Sequence, residues 1–261
     1  MNKILLIALA GALSMGAVNV RAQAGATVNA PTVTASVATV SQYMFRGQRL
    51  GGLSLQPSLE VGGMAGGGLA LGIWASKPLS GRIPDVSDPE IDFYGSYTTT
   101  LGDNLTFVPG FTYYFYPNLS NLVHKATFEP SVALNYTISG VKLTPKVYYD
   151  LTLAGPTWEI SGSNSVALAS LGVTVDLFAT FGTYKLTDVA KDTSPKVKNW
   201  GNYFSAGFSI PFQISTTSKL SLGWAYHEGW GNKFKQGNAP QASNTLQAVR
   251  GVASINYSLS F

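Results

Sequence analysis

Along most of this chain apolar and polar side chains take turns, the period of an extended strand with one dry face and one wet face. In 104–116, Leu105, Phe107, Pro109, Phe111, Tyr113 and Phe115 share one face. In 126–138, Phe128, Pro130, Val132, Leu134, Tyr136 and Ile138 alternate with Glu129, Ser131, Ala133, Asn135 and Thr137. Val141, Leu143, Pro145, Val147 and Tyr149 oppose Lys142, Thr144, Lys146, Tyr148 and Asp150, and Leu220, Leu222, Trp224 and Tyr226 oppose Ser221, Gly223, Ala225 and His227. Extending the pattern predicts about twelve strands, at 34–46, 52–62, 67–77, 89–100, 104–116, 126–138, 141–153, 157–168, 172–185, 201–212, 218–228 and 245–261. Pro109, Pro130 and Pro145 each remove a ladder donor and are expected to mark bulges or local irregularities.

The connections alternate in length. Short turns are expected at 62–67, 101–104, 139–140, near 169–172 and at 213–217, and long Gly-, Pro-, Asn- and Lys-containing links at 78–88, 117–125, 186–200 and 229–244. Short turns at one end and long loops at the other are the pattern of an outer-membrane barrel, periplasmic and extracellular respectively. Composition strengthens this. Charged residues make up 11% and aromatic residues 12%, and the charged share is less than half of that in soluble domains. No apolar run beyond the N-terminal one approaches the roughly 20 residues of a spanning helix. A poorly charged chain without such a helix can satisfy its backbone in lipid by closing a sheet on itself. The expected fold is therefore all-β, a closed antiparallel transmembrane barrel of about twelve strands.

The N-terminus points to export. Lys3 precedes an apolar stretch from Ile4 to Val18, and Val20-Arg21-Ala22-Gln23-Ala24 ends in a small-x-small cleavage pattern. The expected organisation is a cleaved signal peptide at 1–24, a short periplasmic segment at 25–33 and the barrel at 34–261, in the outer membrane of a Gram-negative cell. Losing Lys3 and Arg21 takes the 17 basic residues to 15 against 13 acidic ones, so the pI near 9.1 makes no case for nucleic acid. The chain has no cysteine, which excludes disulfides and thiolate metal sites.

The final segment, Ile255-Asn256-Tyr257-Ser258-Leu259-Ser260-Phe261, alternates and ends on phenylalanine. It is similar to the C-terminal signal read by the barrel assembly machinery, with Tyr257 and Phe261 as its aromatic positions. Ser41-Gln42-Tyr43-Met44-Phe45-Arg46-Gly47, within Ala38 to Gln48, resembles the S-x-Y-x-F-R-G opening of the TorF-type porin family. The likeness continues through Gln56-Pro57-Ser58-Leu59, Gly72-Ile73-Trp74-Ala75-Ser76, Glu90-Ile91-Asp92-Phe93-Tyr94-Gly95 and Tyr149-Asp150. It implies a small outer-membrane barrel with a suspected pore function. The glycine-rich stretch at 62–68 and the link at 186–200 depart from the family pattern.

Parity puts the ionisable residues Arg46, Glu60, Asp92, Glu129, Lys142, Lys146, Asp150, Glu159, Asp176, His227 and Arg250 on the water-facing side, because a lipid-facing Arg or Lys near mid-bilayer costs roughly 2–4 kcal/mol. Arg46, Asp92, Glu129, Asp150 and Glu159 are expected to form a selectivity cluster in the outer half, with Lys146, His227 and Arg250 as further lumen candidates. Trp74, Trp158, Trp200 and Trp230 are expected in an aromatic belt at the outer rim. Two readings of the charges stay open: they line a conducting channel for ions or small polar solutes, or they pair and plug a narrow lumen. A third reading makes the barrel a receptor or scaffold, its outer loops carrying Lys191, Lys196, Lys198, Lys233 and Lys235 for contacts or for lipopolysaccharide phosphates. A hydrolytic barrel enzyme needs a nucleophile, a base and an orienting group. With only His124 and His227 present, and Glu90 and Asp92 as the one notable carboxylate pair, no catalytic, cofactor or metal residue is assigned.

Overall fold

The computed structural model of the chain describes residues 30–81, 89–119, 125–185, 200–230 and 250–261. The expectations for the signal peptide, for His124, for the basic loop residues Lys191, Lys196, Lys198, Lys233 and Lys235, and for most of the long links fall outside them. The strands are β1 (Thr32–Val40), β2 (Tyr43–Phe45), β3 (Gln48–Gly51), β4 (Ser54–Met64), β5 (Leu69–Pro78), β6 (Glu90–Tyr97), β7 (Thr99–Gly102), β8 (Leu105–Phe115), β9 (Ala126–Ile138), β10 (Val141–Asp150), β11 (Gly155–Leu168), β12 (Val173–Lys185), β13 (Trp200–Gln213), β14 (Ser218–Trp230) and β15 (Arg250–Ser260). Every pairing is antiparallel, β6 and β7 both pair with β8 as one interrupted wall strand, and the order β6-β5-β4-β1-β15-β14-β13-β12-β11-β10-β9-β8 returns to β6. The wall is thus a closed barrel of twelve strands.

The seam between the first and last wall strands runs from Thr34 opposite Ser260 to Val40 opposite Ser254. Beyond it, Val33 and Phe261 exchange backbone hydrogen bonds of 3.1 and 2.9 Å. No backbone edge is left open to lipid along this join, which is what hydrocarbon demands. Outward positions carry the large apolar side chains, among them Leu59, Ile73, Phe93, Val132, Leu143, Ile160, Phe181, Trp224 and Ile255. The outward charges Lys77, Lys185 and Glu228 sit within two residues of strand ends, where water is in reach.

Three differences from the sequence pattern are informative. The first strand, expected at 34–46, leaves the wall after Val40, and the two-stranded β2–β3 sheet stands apart from the barrel sheet. Arg46 is therefore not a wall residue. Two of the three prolines, Pro109 and Pro145, open gaps in a ladder, and none of the three makes a bulge. Ser96 pairs with Gly110 and Thr99 with Phe107 in one unshifted register, so Pro109, lacking its N–H, separates β6 from β7. Likewise Leu143 pairs with Tyr136 and Lys146 with Ala133, with the ladder interrupted at Pro145 between them, while Pro130 stays in continuous register with Phe111. The register shifts lie elsewhere, between Val61 and Met64 and between Thr100 and Gly102. The turn near 169–172 lies where the pattern expects it, as a single 3-10 turn, Ala169–Leu171, closed by Gly172 in a left-handed conformation at φ 64°. Trp74, expected in the outer belt, is buried on the inward face, because Leu71 and Ile73 hold the outward parity of β5. Trp158 and Trp200 do face outward, and Trp230 packs against the outward Phe181 with ring centroids 6.0 Å apart.

The two faces make opposite demands on a new charge. Ile255→Arg, on the outward face at the middle of β15, is expected to destabilise the barrel by about 2–4 kcal/mol in urea unfolding from lipid vesicles. Ser254→Arg, one residue away on the inward face, is expected to cost clearly less. Equal losses would contradict the assigned faces.

Candidate functional site: the loop-end mouth and its inserted hairpin

The link between β1 and β4 turns into the barrel instead of over its rim. It leaves the wall at Ser41, whose N–H still donates to the Ala253 carbonyl at 2.9 Å, and returns where Gly52 donates to Ser80 at 3.0 Å. Between these points β2 and β3 form a hairpin whose two-residue turn is Arg46-Gly47, at φ 44° and 74°. Two consecutive left-handed residues are what a tight hairpin turn requires. Glycine accepts that conformation freely, whereas at Arg46 it costs about 1–2 kcal/mol. The tip is also pressed against the wall at β13 and β14: a Cβ on Gly47 would lie 2.5 Å from the Cα of Gly229 and 3.0 Å from the Cβ of Tyr203.

The interaction that holds the tip is a buried ion pair. The Arg46 Nη1 and Nη2 groups donate to Glu129 Oε1 and Oε2 at 2.8 and 3.0 Å, and both side chains are almost completely buried. The guanidinium also lies 4.7 Å from the ring centroids of Phe45 and Tyr148. Two parallel charge-assisted bonds fix its plane as well as its position, and this over-determination accounts for an arginine at positive φ.

Around the hairpin the wall supplies carboxylates and tyrosines. Glu90 accepts from Tyr43 at 2.9 Å and from Tyr116 at 3.3 Å; Glu129 also accepts from Tyr114 at 2.8 Å. Glu159 accepts from Tyr203 at 2.7 Å and Tyr148 at 3.4 Å, and the Gln48 amide donates to Tyr184 at 2.7 Å. Tyr43 packs on Trp74 at 5.6 Å. The hairpin thus touches the wall on nearly every side, through β5, β6, β9, β12, β13 and β14. Asp150 has a different job. Its Oδ1 accepts the backbone N–H groups of Thr152 and Leu153 at 2.8 and 2.7 Å and shapes the turn into β11.

Two rows across the wall repeat one device. Glu159, Gly182 and Tyr203 stand directly opposite one another on β11, β12 and β13, as do Glu60, Gly72 and Tyr94 on β4, β5 and β6. In each row the tyrosine lies over the glycine and reaches the carboxylate beyond it, at 2.7 Å for Glu159 and 3.1 Å for Glu60. A Cβ at Gly182 or Gly72 would fall 2.1 or 2.3 Å from the tyrosine Cζ. The missing side chain is what lets each ring lie flat on the wall.

Towards the turn end the lining changes to short polar side chains. Ser36 bonds Ser58 at 2.6 Å, Asn135 bonds Thr106 at 3.0 Å, Thr144 bonds Asn135 at 2.9 Å and Thr180 bonds Ser161 at 3.1 Å. Between this vestibule and the hairpin lies a cavity of about 200 Å³ whose lining includes Arg46, Glu60, Asp92, Tyr94, Lys146 and Tyr148.

Of the eight sequence candidates, Arg46, Asp92, Glu129 and Glu159 converge on the hairpin region, and Lys146 joins them with its ammonium 4.4 Å from the Tyr148 ring. Asp150 is buried at the same end. His227 is half-buried on β14, and the Arg250 backbone pairs with it. The sequence does not single out Tyr43, Tyr114, Tyr116, Tyr148 and Tyr203, which partner the carboxylates, or Tyr184, which meets Gln48. Their parity was readable, but which carboxylate each one meets depends on cross-strand register.

Residues 23–218 match a family described as bacterial proteins of unknown function, Gcw_chp. The chain belongs to the Gcw_chp family. No curated protein matches the chain in sequence. Among solved structures it resembles the NanC porin (12% identity, TM-score 0.54, covering 86% of this chain and 98% of that one) and the KdgM porin (8%, 0.54, 87% and 99%). KdgM in complex with disordered oligogalacturonate also matches (7%, 0.50, 88% and 99%). At these identities the likeness is one of fold: this Gcw_chp protein has the architecture of an outer-membrane porin barrel.

Two outcomes follow. Arg46→Ala leaves Glu129 charged and buried and is expected to cost about 3–5 kcal/mol, whereas the double variant Arg46→Ala, Glu129→Gln is expected to recover much of that loss in urea unfolding followed by tryptophan fluorescence. Gly182→Val is expected to lift Tyr203 off the wall and lower the thermal midpoint of the heat-modifiable band shift. The outward-facing Gly162→Val, whose added Cβ would meet only Leu143 at 3.6 Å, should change it far less.

Proposed function

We propose that this protein is an outer-membrane pore through which ions or small polar solutes diffuse passively, with the β1–β4 hairpin as its constriction. One observation carries this reading: the charges of the wall away from its ends occupy inward register positions, Glu60, Glu129, Lys146, Glu159 and Asp176 among them, around a lumen whose turn-end half is lined largely by Ser, Thr and Asn. A barrel that had only to be stable in lipid has no need of such an interior. A constriction folded in from a loop, above a polar vestibule, suits a lumen that filters what passes. The resemblance of residues 41–47 to the TorF-type porins agrees with it, and in this chain those residues are the hairpin itself.

Export through the 1–24 signal peptide, delivery of the Tyr257–Phe261 end to the barrel assembly machinery, and contact of the outer rim with lipopolysaccharide belong to the same proposal. Nothing in the reading asks for a cofactor, a metal or catalysis.

A second reading, a barrel closed at rest and used as a receptor or scaffold, is favoured by the near-complete burial of Tyr43, Phe45, Arg46, Gln48 and Leu50. Both are separated by planar-bilayer recording across a KCl gradient. The wild-type barrel is expected to give small, discrete, cation-preferring steps, because Glu90, Asp92, Glu129, Asp150 and Glu159 outnumber Arg46 and Lys146 at the mouth. Replacing 43–51 by a short Gly-Ser link is expected to raise the step size several-fold (a rough figure) by removing the constriction. Steps from the shortened variant alone would favour the closed barrel. A folded shortened variant that never conducts would sink the pore.

A further inference from the structure

We infer that the cavity beneath the hairpin is a binding site for a small zwitterion, a molecule carrying an ammonium and a carboxylate a few bonds apart, as an α-amino acid does. For transport this deepens the pore reading and rests on it; for binding it stands alone.

The charges lining the cavity are separated by side. Glu60 lies on β4 and Asp92 on β6, whereas Lys146 lies on β10. In the order β4-β5-β6-β8-β9-β10, Glu60 and Lys146 are five strands apart in a ring of twelve, nearly opposite. Arg46, the remaining cation of the lining, is committed to Glu129 through both of its terminal nitrogens. Lys146 is in no ion pair among the described residues and rests on the face of Tyr148. Glu60 receives one hydrogen bond, from Tyr94 on Oε2.

Each simpler ligand leaves part of this lining unused. An anion small enough for Lys146 would face Asp92 and Glu60. A cation held by those carboxylates would leave Lys146 opposite it. A neutral polyol can meet the hydroxyls of Tyr94 and Tyr148 but gains nothing from the field between the walls. A zwitterion lies along that field, its ammonium towards Glu60 and Asp92 and its carboxylate towards Lys146, so that both ends form charge-assisted contacts. Phe45 and Trp74 also line the same space and suit the short apolar part between the two charged ends. The volume of about 200 Å³ is below the 300–1,000 Å³ of drug-sized sites, which limits the ligand to roughly amino-acid dimensions.

Saturation-transfer NMR on the full refolded barrel in a non-ionic detergent tests the site without any conductance. The probes are L-alanine, lactate, isopropylamine and glycerol at equal concentration. L-alanine is expected to bind saturably, and lactate and isopropylamine about tenfold or more weakly, since each gives up one charge-assisted contact. Lys146→Gln and Asp92→Asn are expected to weaken L-alanine by a similar factor, while Lys146→Arg keeps most of the affinity. Heat-modifiable migration establishes that each variant is folded, and Glu60→Gln carries the acidic-side test if Asp92→Asn does not fold. L-alanine binding no better than glycerol, or unchanged by Lys146→Gln, overturns the site. Binding in a barrel that does not conduct leaves the site standing and removes the pore; conductance without binding does the reverse.

Discussion

Everything in this molecule follows from the cost of an unpaired backbone amide in hydrocarbon. A sheet that spans lipid has to close, and here it closes through the β1–β15 seam, with the reciprocal Val33–Phe261 bonds extending it to the turn end. Closure has a second consequence. With strand side chains alternating, half of each strand faces an enclosed interior, and polar residues there are tolerated only if they find water or partners. The two halves of the lumen solve this differently. Near the turn end, Ser, Thr and Asn pair across strands and leave room for water. Near the loop end, large tyrosines and carboxylates meet a segment of the chain's own backbone brought in from the β1–β4 link.

That inserted segment explains the make-up of the mouth. Glu90, Glu129 and Glu159 are all buried, and three such carboxylates need donors. The wall supplies tyrosine hydroxyls, with Gly182 allowing the Tyr203 ring to lie flat enough to reach Glu159. The hairpin supplies Tyr43 and the doubly donating Arg46. A left-handed arginine at its tip is locally unfavourable, and two charge-assisted bonds to Glu129 outweigh that cost in a region of low dielectric. The geometry of Arg46 is thus evidence that the docked position of the hairpin is specific, since a loosely placed loop would relax it.

Much of the fold is legible because lipid enforces the period-2 pattern away from the strand ends: one face must be apolar. The strand at 126–138 therefore announced both its extent and its faces, and the one expected at 141–153 its faces, though it ends at Asp150. The hairpin was illegible for a related reason. Tyr43 and Phe45 continue the alternation of β1, so the pattern runs through the point where the chain leaves the wall, and Arg-Gly is an unusual pair for a turn that favours Asn-Gly or Gly-Gly. Trp74 was misplaced by weighing its nearness to a strand end above the parity set by Leu71 and Ile73. Charged residues of the mouth could be named from parity alone, as Asp92, Glu129 and Glu159 were. Their tyrosine partners could not, because a row such as Glu159–Gly182–Tyr203 exists only once three strands are in register.

The docking of the hairpin on Glu129 is the point on which the account turns. Solid-state NMR of the barrel in lipid vesicles, with ¹⁵N in arginine guanidinium groups and ¹³C in glutamate carboxyl carbons, reads it directly through nitrogen–carbon dipolar dephasing. With Nη–Oε distances of 2.8 and 3.0 Å, one arginine resonance is expected to dephase strongly and to vanish in Arg46→Lys. If no arginine resonance dephases in the folded barrel, the hairpin is not seated in the mouth, and the constriction, the carboxylate–tyrosine ring around it and the cavity beneath it lose their common support.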